Sequence, residues 1–146
     1  MSRVQLAINV SDLDRAVDFY TRLFATPPAK RRAGYANFAI ADPPLKLVLI
    51  EGGEGASLNH LGVEVMSTAE VAEATARLDA EGLATDVRSE ETCCYAVQDK
   101  VWVSDPDGAR WEVYTVLADA PDQPAADAVC CSDAAAELPV MSSACC

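Results

Sequence analysis

VQLAINVSDLDRAVDFYTRLF, residues Val4–Phe24, and NHLGVEVMSTAEVAEATARLD, residues Asn59–Asp79, line up at an offset of 55. Gln5 falls on His60, Leu6 on Leu61, Ala7 on Gly62, Ile8 on Val63 and Val10 on Val65. Each copy begins with alternating apolar residues, the period of a half-buried strand. Each then meets Ser or Thr with a nearby Asp or Glu, which is a helix-start signal. An amphipathic helix follows, with Val17, Tyr20 and Phe24 at helical spacing in the first copy and Val71, Ala74 and Leu78 in the second. Short strands come after both helices: YANFAIA and LKLVLIE in the first half, then LATDV, CYAVQ, KVWVSD and RWEVYTV in the second. Turn signals divide them at Ala41–Pro44 and Ser104–Gly108. The pattern predicts an α+β domain made of two βαβββ modules whose sheets enclose a cleft, with Gln5 and His60 meeting there.

Composition bounds what such a domain can do. The 146 residues suffice for one compact domain, and 51% hydrophobic content can fill its core. No apolar run approaches the roughly 18 residues that a membrane span needs. A net charge of −12 argues against a nucleic-acid partner, since neutralising phosphates takes clustered Lys and Arg. The only basic cluster, Lys30–Arg32, reads as a solvated loop or strand end. From Ala118 onward the chain becomes rich in Ala, Asp, Pro and Ser and loses its aromatics. We therefore expect a folded domain over residues 1–118 and a flexible tail over 119–146.

All six cysteines occur as adjacent pairs, Cys93-Cys94, Cys130-Cys131 and Cys145-Cys146. Neighbours cannot readily bridge each other, because their Cα atoms sit about 3.8 Å apart whereas a disulfide wants roughly 4.4–6.8 Å. No stretch near Met1 combines positive charge, a long apolar run and a small-residue cleavage site, so the expectation is a cytoplasmic protein with reduced thiols available to a soft ligand. Successive strand residues point to opposite faces, so Cys93 and Cys94 share one ligand only where the backbone turns. This places the doublet on a loop over the cleft.

His60 is the one histidine of the chain. Alone on a strand it reads as structural; its equivalence to Gln5, together with Glu112 in the closing strand RWEVYTV, makes it a candidate ligand. Alternation puts Glu112, Tyr114 and Val116 on one face and Trp111, Val113 and Thr115 on the other. A carboxylate among apolar neighbours needs a partner, and Lys46 or Lys100 offers a purely structural one. Lys100 reads either as a modifier of the thiols or as a solvated lysine, and Tyr95, Gln98 and Trp102 as pocket lining or sheet packing.

Over residues 1–117 these features resemble the vicinal oxygen chelate superfamily of glyoxalases, bleomycin-resistance proteins and extradiol dioxygenases: paired βαβββ modules, a first-strand Gln, the NHLGVEV histidine, and DPDG leading to a strand Glu. TCCYAVQDKVWV resembles more specifically the group of carbon–arsenic lyases and cadmium-induced proteins. That resemblance implies non-haem Fe(II) on Gln5, His60 and Glu112, trivalent arsenic on Cys93 and Cys94, and O₂-dependent cleavage of methylarsenite or a reduced aromatic arsenical. It leaves the oligomeric state open. Two other functions compete with it. One is a sequestering protein for arsenite or Cd²⁺, which the tail doublets favour. The other is a glyoxalase-type isomerase, which wants a fourth ligand where PLKLVLIE offers only Lys46 at the aligned point.

Overall fold

The computed structural model describes residues 2–121. The tail doublets Cys130-Cys131 and Cys145-Cys146 lie outside the described residues. The chain runs β1 (Arg3–Val10), α1 (Leu13–Phe24), β2 (Lys30–Arg32), β3 (Tyr35–Ile40), β4 (Leu45–Glu51), β5 (Leu58–Glu64), α2 (Thr68–Ala80), β6 (Asp86–Cys93), β7 (Ala96–Ser104) and β8 (Arg110–Asp119). These are the two βαβββ modules expected. Their strands join in one curled eight-stranded sheet ordered β2-β3-β4-β1-β5-β8-β7-β6, so the second half mirrors the first about the antiparallel β1–β5 seam. Within each half the first and last strands pair in parallel.

Both helices start where their capping residues dictate. Asp12 accepts from the Arg15 amide, and Ser67 accepts from the Glu70 amide while the Glu70 carboxylate reaches back to Met66 N. Their apolar stripes cover the convex side of the sheet. Leu13 and Val17 of α1 join Phe38, Ile40, Leu47 and Leu49 in one core cluster, and Val71 and Leu78 of α2 join Val101 in another. The alternate residues of the same strands face the concave side, and there polar groups gather.

The second module departs from expectation in its strands. The greater part of CYAVQ and KVWVSD, Ala96–Ser104, forms a single strand, β7, because the charges at its centre are satisfied. Asp99 accepts from Thr68 Oγ1 at 2.5 Å and from the Glu90 amide at 2.8 Å, while Lys100 faces Glu91 and Glu112. In the first module Lys30–Arg32, read as a solvated loop or strand end, forms a short edge strand, and ion pairs to Asp14 and Asp119 occupy its charges. β8 continues to Asp119, and Ala120 still donates to Tyr95 O at 2.9 Å, so regular pairing passes the expected boundary at 118.

Candidate functional site

Strand register brings Gln5, His60 and Glu112 together around a glycine. Gln5 on β1 and Glu112 on β8 both sit opposite Gly62 of β5, and His60 lies two residues away on the same face of β5. A Cβ on Gly62 would stand 3.0 Å from Glu112 Cγ and 3.4 Å from Gln5 Cβ, so only glycine lets the two flanking side chains close over that strand. The role of Gly62 was visible in sequence only as the odd Ala7/Gly62 match of the repeat.

The three side chains are 3–4% exposed and touch one another. Gln5 Nε2 donates to Glu112 Oε1 at 2.7 Å and lies 3.1 Å from His60 Nε2, while His60 Nε2 is 3.3 Å from Glu112 Oε1. Each has a further partner. Tyr114 Oη donates to Gln5 Oε1 at 2.5 Å. His60 Nδ1 is 2.6 Å from Asn59 Oδ1, whose amide nitrogen donates in turn to Asn9 Oδ1 at 3.0 Å. This chain assigns the Nδ1–H tautomer and leaves the Nε2 lone pair facing Gln5 and Glu112. Glu112 Oε2 faces Lys100 Nζ at 3.2 Å. Burial pushes the Glu112 carboxyl up, but a hydrogen bond from His60 in its doubly protonated form and the Lys100 charge outweigh that and hold it at about 2. The Lys100 pairing anticipated as a purely structural alternative therefore coexists with the cluster.

This donor set fits a divalent metal. A carboxylate held ionised, an imidazole lone pair and an amide converge at hydrogen-bond distance, with the Gln5 N–H group where a cation would neutralise both acceptors. Among the described residues no three His, Cys, Asp or Glu side chains group in this way, so the set depends on the amide. Register also corrects the alignment of the fourth position. Val48, not Lys46, is the counterpart of Glu112, since Val48 opposes Ala7 as Glu112 opposes Gly62. Lys46 instead pairs with Glu64 at 3.1 Å and lies over the Tyr114 ring. Burial keeps its pKa below the usual lysine range. An apolar residue at the fourth position leaves a three-ligand face open.

The cysteine doublet sits where the backbone turns. Cys93 ends β6, Ala96 opens β7 opposite it, and Cys94 and Tyr95 between them both have positive φ, 52° and 61°. Positive φ at both central positions is the signature of a type I′ hairpin turn, which favours Asn and Gly. Non-glycine residues there cost on the order of 1 kcal/mol each, a strain that surrounding contacts must hold. Tyr95 supplies them: its carbonyl accepts from Lys30 Nζ at 3.0 Å and from Ala120 N, its hydroxyl donates to Ala33 O at 3.1 Å, and its ring packs on Tyr35. The turn defeats strand alternation and brings the two sulfurs within 3.2 Å.

One cavity joins both groups. It is lined by Gln5, His60 and Glu112 together with Cys93, Cys94 and Val48, and by Gln98, Lys100 and Trp102 of β7. Gln98 and Trp102 thus line it, whereas Tyr95 packs behind the turn. Trp102 stacks edge-on against His60 at 5.3 Å between centroids. As it stands the cavity holds about 20 Å³, enough for an ion or one water.

Comparison with known proteins agrees with the architecture. The Glyoxalase/Bleomycin resistance protein/Dioxygenase superfamily matches residues 3–113. The cadmium-induced protein CadI of Mycobacterium tuberculosis is 65% identical over 82% of this chain and 79% of its own length. A trivalent organoarsenical cleaving enzyme of Thermomonospora curvata is 59% identical over 90% of this chain and 89% of its own. The solved 2,3-dioxygenase LapB of a Pseudomonas species superposes with a TM-score of 0.63 at 21% identity, covering 78% of this chain and 40% of that one, a likeness of fold. Among the described residues no helix is long and apolar enough to cross a membrane. A match through both modules, with relatives this similar along most of their length, means that the chain belongs to the Glyoxalase/Bleomycin resistance protein/Dioxygenase superfamily.

Proposed function

We propose that this protein cleaves the carbon–arsenic bond of trivalent organoarsenicals, such as methylarsenite or a reduced aromatic arsenical, and releases arsenite. The observation that carries the reading is the single cavity lined by both cysteines of the doublet and by Gln5, His60 and Glu112. The relative named as a trivalent organoarsenical cleaving enzyme supports the same substrate class.

In this reading the chain captures arsenic first. A dihydroxy organoarsenical exchanges both As–OH groups for As–S bonds to Cys93 and Cys94, the two thiol protons leave with the hydroxyls as two waters, and the third bond keeps the carbon substituent. Both cysteines react as thiols. Because the cavity is small, the 93–96 turn has to shift to admit the arsenical. Once bound, the substituent lies in the same cavity as the metal set, and proximity supplies much of the rate. Gln5, His60 and Glu112 would hold Fe(II), which supplies O₂ activation for oxidising the substituent. Asn59 fixes the His60 tautomer so that Nε2 presents a lone pair, and Lys100 keeps Glu112 ionised and oriented. Val48 leaves room for the co-substrate where a four-ligand isomerase would carry a donor.

The test is anaerobic Fe(II) reconstitution of reduced protein, addition of methylarsenite and then O₂, and arsenic speciation. Release of arsenite that requires both iron and O₂ is the expected result. Methylarsenite recovered intact in stoichiometric complex would make the protein a sequestering one.

A further inference from the structure

Resting on the reading of Gln5, His60 and Glu112 as a metal site, we propose that Tyr114 is the positioning residue that lets the Gln5 amide turn its oxygen to the metal while its nitrogen keeps a buried partner. In the structure the amide nitrogen points at His60 and Glu112, 3.1 and 2.7 Å away, and the amide oxygen points away from them to Tyr114 Oη. An amide coordinates through oxygen, since its N–H₂ group is a donor without acceptor capacity. Ligation by Gln5 therefore requires the amide to exchange its two ends. The group behind it must then accept an N–H where it had donated an O–H.

A hydroxyl does both, and Tyr114 offers one at 2.5 Å. Its ring is fully buried, so a stranded amide N–H would find no water in its place. The ring is also held still. Lys46 Nζ lies 4.9 Å from its centroid, and Lys46 is fixed by Glu64, which Arg3 binds in turn. Tyr114 is two residues beyond Glu112 on β8, so a single strand carries one ligand and the partner of another. The same hydroxyl serves both states of Gln5, donating to Oε1 before a metal enters and accepting from Nε2 afterwards.

Tyr114→Phe keeps the ring and removes only the hydroxyl. Affinity is measured anaerobically with Co(II) as a spectroscopic probe on wild type, Tyr114→Phe, Gln5→Ala and the double variant, with the thermal transition of each metal-free protein as the folding control. The expected result is a loss of about tenfold in Co(II) affinity for Tyr114→Phe, a size usual for an outer partner of a ligand. In the Gln5→Ala background the same substitution should change affinity by less than about twofold, because the group it acts through is gone. Equal losses in both backgrounds, or unchanged affinity in Tyr114→Phe, would overturn the proposal while leaving the metal site standing. No Co(II) binding by folded wild-type protein would overturn the metal-site reading and this proposal together.

Discussion

The two modules share element order, helix placement and register, yet they meet the cavity with different residues. Where the second module carries His60, Gly62 and Glu112, the first carries Gln5, Ala7 and Val48 at the equivalent positions. Where the first module has β2, three residues long, the second has β6, eight residues long, ending in the cysteine turn. A shared scaffold fixes three adjacent central strands, and departures from the repeat supply the chemistry. The second module contributes a carboxylate, an imidazole and two sulfurs; the first contributes an amide and the Lys30 hydrogen bond that helps hold the turn in place.

The largest expected effects come from erasing what is peculiar to the second module. His60→Ala or Glu112→Ala should abolish metal binding and turnover with the fold retained by circular dichroism, whereas Gln5→Ala should weaken both less, as a neutral amide is the poorest donor of the three. Metal content at the wild-type level in the His60 variant would remove the site. Cys93→Ser and Cys94→Ser should each reduce arsenite release to background without lowering metal content, which separates the sulfur half of the cavity from the metal half.

Smaller effects sharpen the contrast. Gly62→Ala puts a Cβ 3.0 Å from Glu112 Cγ and should cost about 1–3 kcal/mol of stability together with metal affinity. The mirror change Ala7→Gly adds no atom to the cavity and should cost only about 0.5–1 kcal/mol and leave affinity unaltered. Calorimetry and metal titration on the pair would contradict the account if the two substitutions behaved alike. The acid limb of stability offers a further contrast. Glu112 is held at about 2, below its ordinary 4.5, so its ion-pair stabilisation is complete above pH 4.5 and is lost as pH falls toward 2. Denaturant titrations across that range should show a shallower acid loss in Glu112→Gln than in wild type.

Much of this was legible in the sequence because hydrophobic periodicity repeats at a fixed offset, and strand alternation then assigns Gln5, His60 and Glu112 to one face. The adjacency of Cys93 and Cys94 demanded a turn, and the structure places one there. What could not be read depends on register between distant strands. Lys46 looked like the counterpart of Glu112 until the β1–β4 pairing gave that place to Val48. β7 looked like two strands because Asp99 and Lys100 interrupt its apolar pattern, and their partners on α2, β6 and β8 lie far away in sequence. Asn9, Asn59 and Tyr114 carried no signal of their own, since ordinary polar or aromatic strand residues gain a role only from the side chain each one touches.

If capture and cleavage occur in one cavity, a single turnover joins them. Reduced, Fe(II)-loaded protein is charged anaerobically with one equivalent of methylarsenite, cleared of excess, and exposed to a pulse of O₂ while oxygen uptake and arsenic species are followed together. One arsenite should form per protein at a rate independent of added methylarsenite, and none from Cys93→Ser or Cys94→Ser. Methylarsenite recovered unchanged from the wild-type complex, with no oxygen consumed, would contradict it.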